Sequence, residues 1–309
     1  MLECTVSSAN LWKRLVDCIN GLVNEANIDC SPGGLSIQAM DTSHVALVHL
    51  LLRGDGFASY QCERNDMIGL NLASLAKVLK VVDGADTLTM RRAAGTDTLI
   101  LSTENRNRSK ACEYQLKLMT LDTDAMGIPE MEYRSNVVLS SAEFAKIARD
   151  MAVFGDTITV DIDQSGVKFS CSGDVGEAVA FLRSATAADA LRSQSKKSVK
   201  PEIKPELKGE SGTVKPEPRG DDEEDDAPIA SKFKAETETP SVGVEINLEE
   251  PVTLSFALRF MNIFAKGASL SDRVTLNFAP DSPCMIEYEI EKLGYLRYYL
   301  APKVDEGEK

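Results

Sequence analysis

A helix–turn–strand unit recurs along this chain. Val81–Met90 reads V-V-D-G-A-D-T-L-T-M and Met151–Val160 reads M-A-V-F-G-D-T-I-T-V. Each follows a short amphipathic stretch and ends in a strand-like alternation. A weaker copy runs from Phe264 to Leu276, through Ser271 and Asp272 into Arg273-Val-Thr-Leu276. A repeated unit confines the chain to folds built by duplication, in which each helix presents one apolar and one polar face.

Apolar residues at helical spacing predict four helices. Leu11, Trp12, Leu15, Val16 and Ile19 stripe Ser8–Asn20, with Ser8 as N-cap. Leu72, Leu75, Ala76 and Leu79 mark Leu72–Val82; Phe144, Ile147, Ala148 and Met151 mark Ser141–Met151; the fourth helix is Phe256–Lys266. Strands are predicted at Leu35–Met40 after the Ser31-Pro-Gly-Gly34 turn, and at Val45–Leu52, Thr87–Arg91, Thr98–Ser102 and Lys110–Leu118. Others are predicted at Thr157–Asp161, Val167–Cys171, Val175–Leu182 and from Arg273 to Tyr299. Two similar α+β halves result, residues 1–118 and 135–309, joined by an exposed connector over Met119–Arg134.

One segment stands outside the repeat. Residues 186–240 are rich in Lys, Glu, Pro, Ser and Ala and include Asp221-Asp-Glu-Glu-Asp-Asp226. Such composition buries too little apolar surface to offset ordering entropy, so disorder is expected. The 309 residues contain no apolar run of membrane-spanning length, and Glu3 sits where a signal peptide needs a basic flank. The 7 cysteines are odd in number and form no C-x-x-C pair, as expected of reduced intracellular thiols.

The net charge is −14, which argues against a generic nucleic-acid coat. The basic residues are not spread evenly, however. Lys13 and Arg14, Lys77 and Lys80, Lys146 and Arg149, and Arg259 and Lys266 mark the four helices in turn. Any single pair is an ordinary solvated face, and Asp17, Glu143 and Asp150 dilute the signal. Repetition on all four predicts one basic surface that meets phosphates without reading bases. The strand carrying Cys112, Tyr114, Leu116 and Leu118, and that carrying Val175, Val179 and Phe181, are either interior strands of one sheet or edges that pair between copies of the chain.

Seven separated segments resemble the sliding clamps of the proliferating cell nuclear antigen family. They are Met40-Asp-Thr-Ser-His-Val-Ala-Leu-Val48, Leu116-Lys-Leu-Met119, Gly127-Ile-Pro-Glu130, Glu143-Phe-Ala-Lys146, Gly166-Val-Lys-Phe-Ser170, Phe256-Ala-Leu-Arg259 and Tyr298-Tyr-Leu-Ala-Pro-Lys303. The resemblance implies two clamp domains with antiparallel sheets outside and four short helices lining a channel, closed as a head-to-tail homotrimeric ring on double-stranded DNA. It places the helix cations and Lys110 in that channel, and Cys112, Tyr114, Leu116, Val175, Val179 and Phe181 at the subunit interface. It also implies an apolar pocket for PIP-box peptides, matched by Met40, His44, Val45, Met126, Ile128, Pro129, Tyr133, Pro283, Leu300, Ala301 and Pro302. The implied partners are the clamp loader (replication factor C), DNA polymerase delta, flap endonuclease and DNA ligase, in the nucleus, with no cofactor, metal or membrane.

The chain departs from the family at Asn20 and Gln164, where Lys is common, and at Met126, where Leu is. Val199-Lys-Pro-Glu202, Ile203-Lys-Pro-Glu206, Val214-Lys-Pro-Glu217 and Phe233-Lys-Ala-Glu236 resemble SUMO acceptor motifs, with Lys200, Lys204, Lys215 and Lys234 as acceptors. Two other readings compete. An enzyme would use Asp122 with Asp124, Asp161 with Asp163, or Asp41 with His44, but no phosphate loop or nucleophile–base motif accompanies these turn carboxylates. A subunit of a heteromeric checkpoint-type clamp would share the fold and have non-identical neighbours.

Overall fold

The computed structural model describes residues 1–93, 95–122, 131–184 and 244–303. The first half runs β1 (Leu2–Val6), α1 (Asn10–Asn20), β2 (Glu25–Ser31), β3 (Gly34–Met40), β4 (Ala46–Arg53), β5 (Ser59–Cys62), β6 (Asp66–Asn71), α2 (Leu72–Val81), β7 (Thr87–Arg92), β8 (Thr98–Glu104) and β9 (Ala111–Lys117). The second half repeats that order: β10 (Ser135–Ser140), α3 (Ser141–Met151), β11 (Thr157–Ile162), β12 (Gly166–Gly173), β13 (Gly176–Arg183), β14 (Glu245–Leu248), β15 (Val252–Ala257), α4 (Leu258–Phe264), β16 (Arg273–Phe278), β17 (Cys284–Ile290) and β18 (Gly294–Leu300). The chain leaves β13 at Ser184 and re-enters at Val244, and these two residues bridge each other.

The sheets obey the same duplication. One has the order β5-β1-β7-β8-β9 and another β13-β12-β11-β15. The largest, β14-β10-β16-β17-β18-β4-β3-β2-β6, is the second-half counterpart of the former joined to the first-half counterpart of the latter. Matching ladders fix the correspondence residue by residue. Met90–Leu101–Tyr114 across β7, β8 and β9 repeats as Leu276–Ile286–Tyr298 across β16, β17 and β18. Ile28–Ile37–Leu50 repeats as Val160–Phe169–Ala180. In the helices, buried Trp12, Leu15, Val16 and Ile19 match buried Phe144, Ile147, Ala148 and Met151.

The join between halves is the antiparallel seam of β18 with β4, from Gly294 opposite Leu52 to Leu300 opposite Ala46. Residues alternate across it. Val48, Leu50, Leu296 and Tyr298 point into the core, while Leu47, His49, Arg297 and Tyr299 point out and are half-buried. On the inner side Tyr298 stacks on Phe264 at 4.3 Å, and its hydroxyl donates to the Cys18 carbonyl at 3.2 Å. The core thus runs unbroken from one half to the other. All seven cysteines are free; burial pushes the Cys18 thiol up to about 11 and the Cys4 thiol to about 12, so both stay protonated.

Several sequence expectations are corrected. Ser8 is not the N-cap: α1 starts two residues later, and the Ser8 hydroxyl donates to Gly84 O at 2.7 Å. The α2–β7 turn caps the helix instead, accepting Ala9 N at Asp86 O and Asn10 N at Gly84 O. Phe256 lies in β15 opposite Ile158, so the fourth helix begins at Leu258. It tightens into a 3-10 turn over Ala265–Ser269 that seats Gly267 on the Tyr288 ring. Val175 sits in the β12–β13 turn, ahead of β13. The two strong echoes follow α2 and α3, which are not counterparts; the weaker copy after α4 is the true partner of Val81–Met90.

The seam also explains one glycine. A Cβ on Gly294 would lie 1.9 Å from Leu51 O, a backbone atom that cannot yield without spreading β18 from β4. Gly294→Ala is expected to lower stability by about 1–3 kcal/mol in thermal or denaturant unfolding. Gly33→Ala, whose Cβ would meet only the Ser31 hydroxyl at 3.7 Å, serves as the near-neutral control.

Candidate nucleic-acid interface and docking face

The four helices form one row. α1 packs on α2 and on the 3-10 turn after α4, and α3 packs on α4 and that same turn. Their apolar stripes are buried against the sheets, so their polar sides share one exposed surface. Arg14, Lys77, Lys80, Lys146, Arg149, Arg259 and Lys266 are exposed there, and Lys13 is half-buried. Some of these cations also hold the row together. Lys13 Nζ donates to Val82 O, tying α1 to α2. Arg14 Nη1 donates to Ser269 O at 2.6 Å, and Lys266 Nζ lies 4.0 Å from Asp17 Oδ1, tying α1 to the end of the fourth helix. Lys110 is on no helix and is exposed at the end of the β8–β9 turn.

On the opposite side of the central sheet, the outward residues of four strands line up. Met40, Leu47, Tyr299 and Met285 face one another across β3, β4, β18 and β17, all half-buried. Next to them His49 meets Tyr295 edge-on at 5.5 Å, Arg297 lies 3.9 Å over the Tyr295 ring, and Arg297 pairs with Glu287. Burial, with Arg297 alongside, lowers the His49 pKa, so the imidazole is neutral at pH 7. At the end of this face the chain past β18 continues the ladder: Ala301 N donates to Val45 O at 3.0 Å. Ala301, Pro302, Val45, Pro283 and Tyr133 are half-buried, His44 is exposed, and Leu300 is buried in the core.

The Asp41 turn shapes that corner. One carboxylate oxygen accepts Val45 N at 2.8 Å and Ala46 N at 2.7 Å; the other accepts Ser43 N at 2.9 Å and the Ser43 hydroxyl. The turn places His44 at φ 57, presenting its ring to solvent. Burial opposes ionisation of Asp41, but the hydrogen bonds from Ser43, Ala46 and Val45 outweigh it and hold the pKa below its ordinary value. Asp161 accepts from Thr253 Oγ1 at 3.0 Å, and Asp163 accepts Ser165 N at 2.7 Å and Gly166 N at 3.0 Å. These carboxylates serve their own turns and strands. No group of three metal-ligating side chains occurs among the described residues, and none of their helices is long and apolar enough to cross a membrane.

Met126, Ile128, Pro129, Lys200, Lys204, Lys215, Lys234 and the 186–240 segment lie outside the described residues. Both ends of the connector are described. Met119 N donates to Gly69 O at 3.0 Å, and buried Asn27 donates to Leu121 O at 3.2 Å. At the far end Arg134 N donates to Phe278 O at 3.1 Å, and its guanidinium pairs with Glu250 at 2.8 Å. Sequence reasoning missed Asn27, Arg134 and Glu250; the one signal was an amide side chain between Ala26 and Ile28, in a run whose other members are core.

Among the sheet edges, β9 and β13 are the counterparts of the seam strands β18 and β4. Cys112 and Tyr114 are half-buried along β9, but Leu116 is only 8% exposed and belongs to the chain's own core. Along β13, Ala178, Ala180 and Leu182 pack inward, while Val179 and Phe181 point out, 61% and 41% exposed; Val175 in the preceding turn is 71% exposed.

A duplicated antiparallel fold with a row of cation-bearing helices on one side and an apolar corner on the other defines a DNA-clamp architecture. Residues 1–126 match the family described as proliferating cell nuclear antigen, N-terminal domain, and residues 127–206 and 212–303 match its C-terminal domain. The chain belongs to the proliferating cell nuclear antigen family of DNA sliding clamps, proteins of DNA replication and repair.

Because the folded Asp41 pKa is depressed, its contribution is fully present above the ordinary carboxylate value of about 4 and is lost as pH falls through the folded value. Protection of the Val45 and Ala46 amides, taken relative to intrinsic exchange at the same pH, should therefore be high at pH 7 and fall on acidification below about pH 4. In Asp41→Ala the same amides should lack that protection at every pH.

Proposed function

We propose that copies of this chain close head-to-tail into a three-membered ring that encircles duplex DNA and slides on it, a scaffold rather than an enzyme. The observation that carries this reading is the seam. β18 and β4 join the two halves of one chain, and their counterparts β9 and β13 each end a sheet within the chain. Repeating the seam between copies pairs β9 with β13 of the next and builds, between copies, a nine-stranded sheet like the central one. The register follows from the ladders. Val48 faces Tyr298 in the seam, so Ala178 would face Tyr114 between copies, and Ala180 would face Cys112. A small side chain opposite a ring is good cross-strand packing. The helix row then continues from one copy to the next around a channel of exposed lysine and arginine, which suits a phosphate backbone and carries no base code.

The corner built by Met40, the Asp41 turn, Pro283 and Ala301–Pro302 is the docking face for short peptides with aliphatic and aromatic anchors. Partners on this reading are replication factor C, which opens the ring, and DNA polymerase delta, flap endonuclease and DNA ligase. The nucleus is the compartment such partners imply.

Light scattering over a dilution series tests the ring. A mass of three chains is expected, and Ala178→Arg should shift it to one chain while far-UV circular dichroism stays unchanged. A wild-type protein that is monomeric throughout overturns the homotrimer and favours a heteromeric clamp subunit. For the docking face, Val45→Asp is expected to weaken a fluorescent PIP-box peptide at least about tenfold with ring mass unchanged; undiminished affinity would remove Val45 from that site.

A further inference from the structure

Counterpart positions also reveal how the contact between copies differs from the seam within a chain. In the seam α1 meets the turn after α4 through two contacts made by cations, besides Cys18 Sγ at 3.9 Å from Ser269 Oγ. Arg14 donates to Ser269 O, and Lys266 sits against Asp17, 4.0 Å from its carboxylate and 3.5 Å from its carbonyl. The ladder and stripe correspondences convert these residues one by one. Arg14 becomes Lys146, Ser269 becomes Asp83, Asp17 becomes Arg149 and Lys266 becomes Lys80. Cys18, whose carbonyl accepts the Tyr298 hydroxyl, becomes Asp150, and Tyr298 becomes Tyr114.

The first contact is kept: Lys146 would meet the Asp83 carbonyl as Arg14 meets that of Ser269. The second inverts: Lys80 meets Arg149, two cations where the seam has an ion pair. Lys80, Arg149, Asp83, Lys146 and Asp150 are all exposed in the single chain, and neither Lys80 nor Arg149 makes an ion pair among the described residues. Val81 and Val153, one beside Lys80 and the other one turn beyond Arg149, are 68% and 66% exposed, as expected of side chains that a neighbouring copy covers.

We propose that each contact between copies carries an oxyanion site absent from the intrachain seam, formed by Lys80 of one copy and Arg149 of the next. A phosphate bridging the pair converts a repulsive contact into two charge-assisted ones. Closure of the ring and occupancy of the channel by a polyanion are then thermodynamically linked, each favouring the other. The empty ring is weakest at its junctions, and the ring that holds nucleic acid is tightest there. This inference rests on the head-to-tail reading above.

A charge-reversal cycle tests it. Dissociation on dilution is followed by light scattering for the wild type, Lys80→Asp, Arg149→Asp and the double variant. Arg149→Asp recreates the Asp17–Lys266 arrangement and Lys80→Asp its reverse, and each is expected to lower the half-dissociation concentration about tenfold. The double variant places two carboxylates together and should return near the wild-type value, a non-additive pattern that general surface charge does not produce. Lys80→Gln and Arg149→Gln should give smaller shifts of the same sign, which keeps the test valid if a reversal misfolds. Inorganic tripolyphosphate should tighten the wild-type ring and leave Arg149→Asp unmoved. A wild type that never associates overturns the ring and this inference together. A ring whose single reversals weaken it or leave it unchanged, or whose double variant is additive, overturns the inference alone.

Discussion

The ladder between β18 and β4 determines where both surfaces of this molecule lie. It brings two half-sheets into one, and its inward residues, above all Tyr298, are keyed to α1 and α4 by a ring stack and a hydroxyl bond. Its outward residues hold the aromatic and ionic cluster beside the Asp41 turn. Strand side chains alternate with period two, so a slip of one residue would exchange these sets. The basic helix row and the apolar corner are thus two consequences of one register.

Charge is segregated along the same division. The chain is acidic in sum, yet the exposed helix sides concentrate its lysines and arginines. A polyanion is repelled by the net charge of −14 and attracted by the cations of the helix row. Lys13, Arg14 and Lys266 are tied within the row, whereas Lys77, Lys80, Lys146 and Arg149 make no ion pair among the described residues and are free for contacts that exchange quickly along a uniform backbone.

The helices were legible because their stripes are local: Trp12, Leu15, Val16 and Ile19 need no partner to be recognised. The strands were legible as alternations, and their order was not, because a period of two says nothing about which strand lies alongside. The pairing of β18 with β4 spans most of the chain, and only the ladders establish it. Ser8 misled because a serine before a helix looks the same whether it caps that helix or bonds to a distant turn. Leu116 misled because its alternation with Tyr114 is real while the face it marks is the core. The basic residues were found on the correct helices, but that α1 bridges α2 to the end of α4 depends on Arg14, Asp17 and Lys266 meeting across the seam. Asn27 showed only as an amide within an apolar run; its role depends on where Leu121 passes.

The bridge between Ser184 and Val244 has a consequence of its own. The chain departs from and returns to nearly the same point, so the fold already holds the two ends of residues 185–243 together. The entropy of closing a loop grows only with the logarithm of its length, about 0.6 kcal/mol for each doubling. At this point of the clamp, sequence can be lengthened, shortened or rewritten with almost no effect on the strands around it. The position is a tolerant graft site, where new peptide can be added to a clamp without renegotiating its fold.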